Sequence, residues 1–240
     1  MTRIYTPTSG PGDWRRLLAD PAKHWKRKRS AFELAVSWER ARRSERGLPS
    51  AVAALFDRHP KFKGASLVLG IPEHQVSLDG GGHPSQTDLW ALLSIAGGGL
   101  VSVAIEAKAG EPFDKTVAEW LAAGSPRSGR PARLRQLQEV LALKPEVAPQ
   151  LRYQLLHRTA AAMLEARRFR AGSALLLVQA FADDPESLEA FSHFGRALGC
   201  VCSAGTIVDG PVLDGVALHV GWLQCPPATD AEVAAANRDQ

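Results

Sequence analysis

Long apolar runs are missing from this chain and cysteine is scarce. No hydrophobic stretch reaches bilayer-spanning length, and no secretory apolar segment follows the first methionine. A cytoplasmic protein without membrane contact is therefore expected. The three cysteines, Cys200, Cys202 and Cys225, offer neither an easily closed disulfide nor the paired spacing of a zinc finger, so reduced structural thiols are expected. No repeat period is visible, and no Pro/Ser/Gly tract is long enough to divide the 240 residues. The one candidate linker or mobile loop is Gly124 to Pro131. One domain over 1–240 is expected, its turn-rich start (1–13) and alanine-rich end (226–240) extending or fraying. The glycine clusters Asp79 to Gly82 and Gly97 to Gly99 lack the residues of a nucleotide cradle and read as turns. There is no Gly-x-Ser-x-Gly elbow and no Cys/His pairing, which argues against a small-molecule hydrolase.

What is there begins with charge. The net charge is +4, unevenly spread. Between Lys23 and Arg46 the bases Lys23, Lys26, Arg27, Lys28, Arg29, Arg40, Arg42, Arg43 and Arg46 face only Glu33, Glu39 and Glu45. Such a patch attracts phosphate backbones without reading sequence. A second cluster, Arg127, Arg130, Arg133 and Arg135, opens a predicted helix whose N-terminus also favours anions. Basic runs are more often solvated faces, so neither cluster decides the matter.

The segment from Gln86 to Lys108 carries more chemistry. Leu89 to Ala96 reads as a strand, Gly97 to Gly99 as the turn and Leu100 to Ala107 as the return strand, so Asp88 and Glu106 lie at the same end of a hairpin. Alternate strand residues share a face, so Glu106 and Lys108 project together. Two carboxylates suit Mg²⁺, a hard cation that prefers oxygen ligands. A bound metal polarises a phosphoryl group and acidifies a water, and a nearby lysine orients that water or stabilises developing negative charge. The bland alternative is a strand-initial aspartate and an exposed cross-strand charge pair.

Asp88, Glu106 and Lys108 in this setting resemble the PD-(D/E)XK, or restriction-endonuclease-like, nuclease superfamily. One departure is Thr87 where the pattern has proline, with Pro84 close upstream. The resemblance implies a core of a helix, a strand meander carrying the acid and the acid-x-lysine, a helix and a further strand. It implies a Mg²⁺ site, with Mn²⁺ able to substitute, and nucleic acid, DNA in the first place, as partner; a homodimer is left open. It also implies a glutamate from an N-terminal helix. Ser30 to Arg43 is such a helix, with Ala31, Leu34, Ala35, Trp38 and Ala41 on one stripe and Ser30 as cap. Glu39 borders the stripe and is the chosen third metal ligand; Glu33 sits nearly opposite.

Further helices are predicted over Thr116 to Ala123, Pro131 to Leu143, Pro149 to Arg168 and Glu186 to Leu198, with strands over Ser173 to Phe181 and Val216 to Gln224. This order fits an α/β domain, a central mixed sheet covered by helices on both faces. Superfamily branches bring a glutamine, arginine or tyrosine from the helix after the motif to the site edge. Gln154 takes that role here, with Arg152, Tyr153, His157 and Arg158 as phosphate or site-edge contacts. The six tryptophans read as packing residues. The resulting expectation is a metal-dependent nuclease, the alternative being a non-catalytic nucleic-acid-binding or protein-interaction module on the same fold. The alanine- and arginine-rich composition suggests a bacterial origin.

Overall fold

Two strands of almost unbroken apolar sequence set the centre of the molecule. Leu100–Lys108 (β3) and Ser173–Ala180 (β4) are buried on both faces, which is where continuous Val/Ile/Leu-rich strands belong. The computed structural model describes residues 8–125 and 127–238. The other strands are Ser66–Val76 (β1), Ser85–Ser94 (β2), Thr206–Leu213 (β5) and Val216–Gln224 (β6), giving one open sheet in the order β1-β2-β3-β4-β6-β5. β1, β2 and β3 form an antiparallel meander, β3, β4 and β6 run parallel, and β5 returns antiparallel to β6.

Nine helices are present among the described residues: α1 (Pro11–Trp14), α2 (Pro21–His24), α3 (Ser30–Arg40), α4 (Ser50–Asp57), α5 (Val117–Ala122), α6 (Arg130–Leu141), α7 (Tyr153–Arg168), α8 (Pro185–Ala197) and α9 (Asp230–Arg238). None is long and apolar enough to cross a membrane. The period-2 alternation of the strands splits the core in two. Val103, Ile105 and Ala107 of β3 join Leu34 and Trp38 of α3 and Val52 and Phe56 of α4 on one face. Ala104 of β3 and Leu176 and Val178 of β4 join Leu155, Leu156 and Met163 of α7 and Phe191 and Phe194 of α8 on the other. The sheet therefore has helices on both faces, and each large side chain taken out of water contributes about 1.5–3 kcal/mol.

The expected hairpin, helices and later strands are found with small boundary changes, and three differences carry physical reasons. α7 begins at Tyr153, because a 3-10 turn at Ala148–Gln150 and extended residues at Leu151 and Arg152 precede it. Ser30 does not cap α3: the cap position is Arg29, and the Ser30 hydroxyl reaches Glu111 at 3.5 Å. β1, β5 and α4 were not expected. Both unexpected strands are sheet edges carrying a proline, Pro72 and Pro211, where a missing N–H leaves no central ladder bond unmade.

The ends are docked where they are described. Thr8 is buried against Glu39 (2.7 Å), and α9 packs on α3 with Ala236 buried. The fraying expected over 1–13 and 226–240 is corrected for these parts; residues 1–7 and 239–240 lie outside the described ones. All three cysteines are free thiols. Within the Gly124–Pro131 segment, Pro126 lies outside the described residues, and the rest is no separating linker because Gly129 meets the turn at Gly80.

That turn is specific. Gly80 has φ 77°, and a Cβ there would overlap the Gly129 carbonyl oxygen. Neighbouring Gly81, φ 66°, has open space around its missing Cβ. Gly81→Ala is expected to cost only the left-handed penalty, about 1–2 kcal/mol. Gly80→Ala should cost clearly more, which urea unfolding of the two variants measures.

Candidate active site

The β2–β3 register sets up the site. Leu89↔Ile105 is the last pair of the ladder, so Asp88 and Glu106 stand opposite each other just past it. Freed from the ladder, Asp88 accepts the Ala107 N–H through its own carboxylate at 2.8 Å. On the other side, Pro72↔Leu89 and His74↔Thr87 bracket Glu73 opposite Asp88. Three carboxylates thus lie in a row across β1, β2 and β3. Glu73 holds a left-handed backbone, φ 52°, a strain worth about 1–3 kcal/mol and characteristic of functional positions.

α7 closes this row from above. Gln154 and Arg158 are four residues apart and share one helical face. Gln154 Nε2 donates to Glu106 Oε1 (2.5 Å), and Arg158 Nε donates to Oε2 (2.7 Å). Lys108 Nζ donates to Glu106 Oε1 at 2.9 Å and to Gln154 Oε1 at 3.0 Å, and lies 4.7 Å from the centre of the Phe113 ring. Glu106, Lys108 and Arg158 are buried, whereas Asp88, Gln154 and Glu73 are half-buried at the mouth.

The electrostatics are uneven along the row. Burial pushes Glu106 up, but Lys108 and Arg158 outweigh it and hold the carboxylate below its ordinary value. Asp88 rises to about 7, through burial and then repulsion from Glu106. Glu73 rises to about 8, through burial and the charge of Asp88. Positive charge is concentrated on Glu106, and the Asp88–Glu73 side is short of it. The donors are hard oxygens of the kind Mg²⁺ takes. Both Glu106 oxygens are engaged by protein donors, and the three carboxylates do not bring ligand atoms within 4.8 Å of one another.

The structure brings Asp88, Glu106, Lys108 and Gln154 together, as expected. Glu39 is a correction: α3 packs on the opposite face of the sheet, and Glu39 Oε1 accepts from Thr8 Oγ1 and Trp14 Nε1, each at 2.7 Å. Its place in the row is taken by Glu73, which lay hidden in a strand broken by Gly70 and Pro72. Of the four expected phosphate or site-edge contacts, three turn inward, and Arg158 among them reaches the acid row itself. Arg158 is the buried partner of Glu106. Tyr153 stacks on Trp120, centroids 4.0 Å apart and planes at 10°. His157 Nδ1 is 2.8 Å from Ser85 Oγ, and burial and then Arg158 hold its imidazole well below the ordinary value, so it is neutral. Arg152 remains half-buried, 3.7 Å from Glu186.

The basic clusters are compensated in part. Arg27 pairs with Asp230 (2.8 Å), Arg29 with Glu111 (3.6 Å), Arg40 with Glu232 (2.5 Å) and Arg46 with Asp57 (2.8 Å). Arg133 is buried and ties α6 to the carbonyls of Asp79, Gly81 and His83, while Arg130 lies over Trp120 and donates to its carbonyl.

Fold and site together define an open mixed-sheet α/β protein with an acid row, a lysine, a glutamine and an arginine gathered where the central antiparallel strands end. Residues 7–227 match the family described as domain of unknown function DUF6946, and the chain belongs to that family. No curated protein and no solved structure matches the chain.

The raised carboxyls make stability depend on pH. The folded state keeps protons that the unfolded chain releases near pH 4, so the contribution of these two groups to stability is greatest below that value and falls as pH rises towards 7–8. Asp88→Asn keeps an acceptor for Ala107 and removes the charge. It should be more stable than wild type at pH 8, by on the order of 2 kcal/mol, and equal to it near pH 4. Thermal unfolding of both proteins across this range checks the crossing.

Proposed function

We propose that the chain is a metal-dependent nuclease of the restriction-endonuclease-like kind, hydrolysing phosphodiester bonds of nucleic acid, DNA in the first place. The observation that carries this reading is the meeting of Asp88, Glu106, Lys108 and Gln154 on one face, with Gln154 bonded to both members of the acid-x-lysine pair. The order helix, three-strand meander, helix, parallel strand supports it, being the core that the resemblance implies.

Mg²⁺ or Mn²⁺ would be held by Asp88 and Glu106, with Glu73 beside them. When bound, the cation supplies Lewis acidity at a phosphoryl oxygen and a water of lowered pKa. The rest falls to the chain. Lys108, fixed by Gln154 and Phe113, meets the negative charge that grows on the phosphoryl oxygens during attack. Gln154 is a positioning residue that holds Lys108 and Glu106 at one separation. Arg158 keeps Glu106 ionised from behind, leaving the Asp88 side open. A second reading, a non-catalytic binding module, is favoured by one feature: Glu106 is already saturated by protein donors.

The test is cleavage of plasmid, linear duplex, single-stranded DNA and RNA with Mg²⁺ or Mn²⁺. Asp88→Ala, Glu106→Ala and Lys108→Ala are each expected to lose about 10²–10³-fold or more in rate, and Gln154→Ala about 10–100-fold. Glu39→Gln, on the other face, should cleave as wild type does. Wild type that cleaves no substrate with either metal would hand the site to the binding-module reading.

A further inference from the structure

On the far side of the sheet from the carboxylate row, the β5–β6 edge carries a second group of ligand-type side chains. Asp209 and His219 are direct partners in the β5–β6 ladder, and the register shifts between Asp209 and Val212, just beyond that pair. His59 follows the end of α4 and is brought over them by Phe62, a buried ring 4.7 Å from His59 and 4.8 Å from His219. The Asp209 carboxylate joins the two imidazoles. Its Oδ1 is 2.8 Å from His219 Nδ1 and 3.3 Å from His59 Nε2, and one ligand atom from each residue falls within 4.8 Å of the other two.

The hydrogen-bond accounting leaves this group short. His219 is 2% exposed, yet its Nε2 has no hydrogen-bond partner and its Nδ1 meets only the Asp209 carboxylate, and His59 Nδ1 is a further buried nitrogen without a partner. Buried polar atoms of this kind are rare and call for an explanation such as an ion. A cavity of about 310 Å³, lined by Pro60, Lys61, Gly210 and Val212 beside the three residues, leaves room for a water or exchangeable ligand.

We propose that His59, Asp209 and His219 form a metal site for a late first-row divalent cation of the Zn²⁺ type. Two imidazoles and one carboxylate suit Zn²⁺ and its neighbours, whereas Mg²⁺ takes oxygen. Bonds of about 2.0–2.1 Å around a tetrahedral Zn²⁺ separate the ligand atoms by about 3.4 Å, near the 3.3 Å between His59 and Asp209. Asp209 is the adjustable member, its side chain being 72% exposed. Three protein ligands leave one position open to the cavity. The ion would clasp the edge strand β5 and the α4–β1 connection to β6. This site is independent of the nuclease reading and shares no residue with it.

Calorimetric titration of the metal-free full chain with Zn²⁺, and visible absorption with Co²⁺, test the proposal. With Mg²⁺ in excess to occupy the carboxylate row, one Zn²⁺ per chain and a tetrahedral Co²⁺ spectrum are expected in wild type. Binding should weaken at least tenfold in Asp209→Ala and in His59→Gln, and should be unchanged in Asp88→Asn. Asp209 is exposed, so its variant should keep the wild-type melting temperature without metal and decide the question even if His59→Gln folds poorly. No Zn²⁺ binding, binding as tight in Asp209→Ala as in wild type, or binding lost in Asp88→Asn would overturn the site.

Discussion

Glu106 is the residue around which the rest of the site is arranged. It is 2% exposed, carries a full negative charge and is reached by Lys108 from its own strand and by Gln154 and Arg158 from α7. A buried carboxylate with several partners is poor evidence for stability, because desolvation offsets most of the attraction and a well-packed apolar replacement is often as stable. Removing one partner is a different matter, since it strands a charge and costs about 3–5 kcal/mol. The network therefore locks α7 onto β3 in one register. It also concentrates the available positive charge on Glu106 and leaves Asp88 and Glu73 short of it at the mouth, where both hold their protons more firmly than ordinary carboxyls. A fold that needed only a core would have little reason to keep three carboxylates in a row, one of them on a left-handed backbone.

The centre of the site could be read from the sequence because its parts are local. Asp88 and Glu106 are joined by a hairpin whose turn is marked by three glycines, and Glu106 and Lys108 are two residues apart on one strand. Period-2 alternation then leaves little freedom. The long helix after the motif was equally plain, and its four-residue spacing brings Gln154 and Arg158 to the same carboxylate. The edge strands were not legible, because Gly70 and Pro72 in β1 and Gly210 and Pro211 in β5 break the apolar alternation that marks a strand. Glu73 and Asp209 were lost with them.

Glu39 was misplaced for a related reason. A helical wheel tells which residues of α3 are near a core, and Glu39 is indeed buried; it does not tell which face of the sheet the helix covers. Local charge counting likewise does not see distant partners. The acids that neutralise Arg27 and Arg40 are Asp230 and Glu232 of α9, about two hundred residues along the chain. Tyr153, His157 and Arg158 were read as phosphate or site-edge contacts, yet α7 is buried on more sides than its pattern suggests, and all three turn inward.

One sheet thus separates two groups of ligand-type side chains: hard oxygen donors on the α7 face and imidazoles with a carboxylate on the α4 face. The central claim concerns the first. Its most direct test is a crystal structure grown with Mn²⁺, read through the anomalous signal of the metal. The account expects a peak at about 2.1 Å from carboxylate oxygens of both Asp88 and Glu106, with Glu106 Oε1 turned away from Lys108 or Gln154 to accept it. Crystals soaked in Mn²⁺ that show no peak there, with Glu106 still held by Lys108, Gln154 and Arg158, would contradict it.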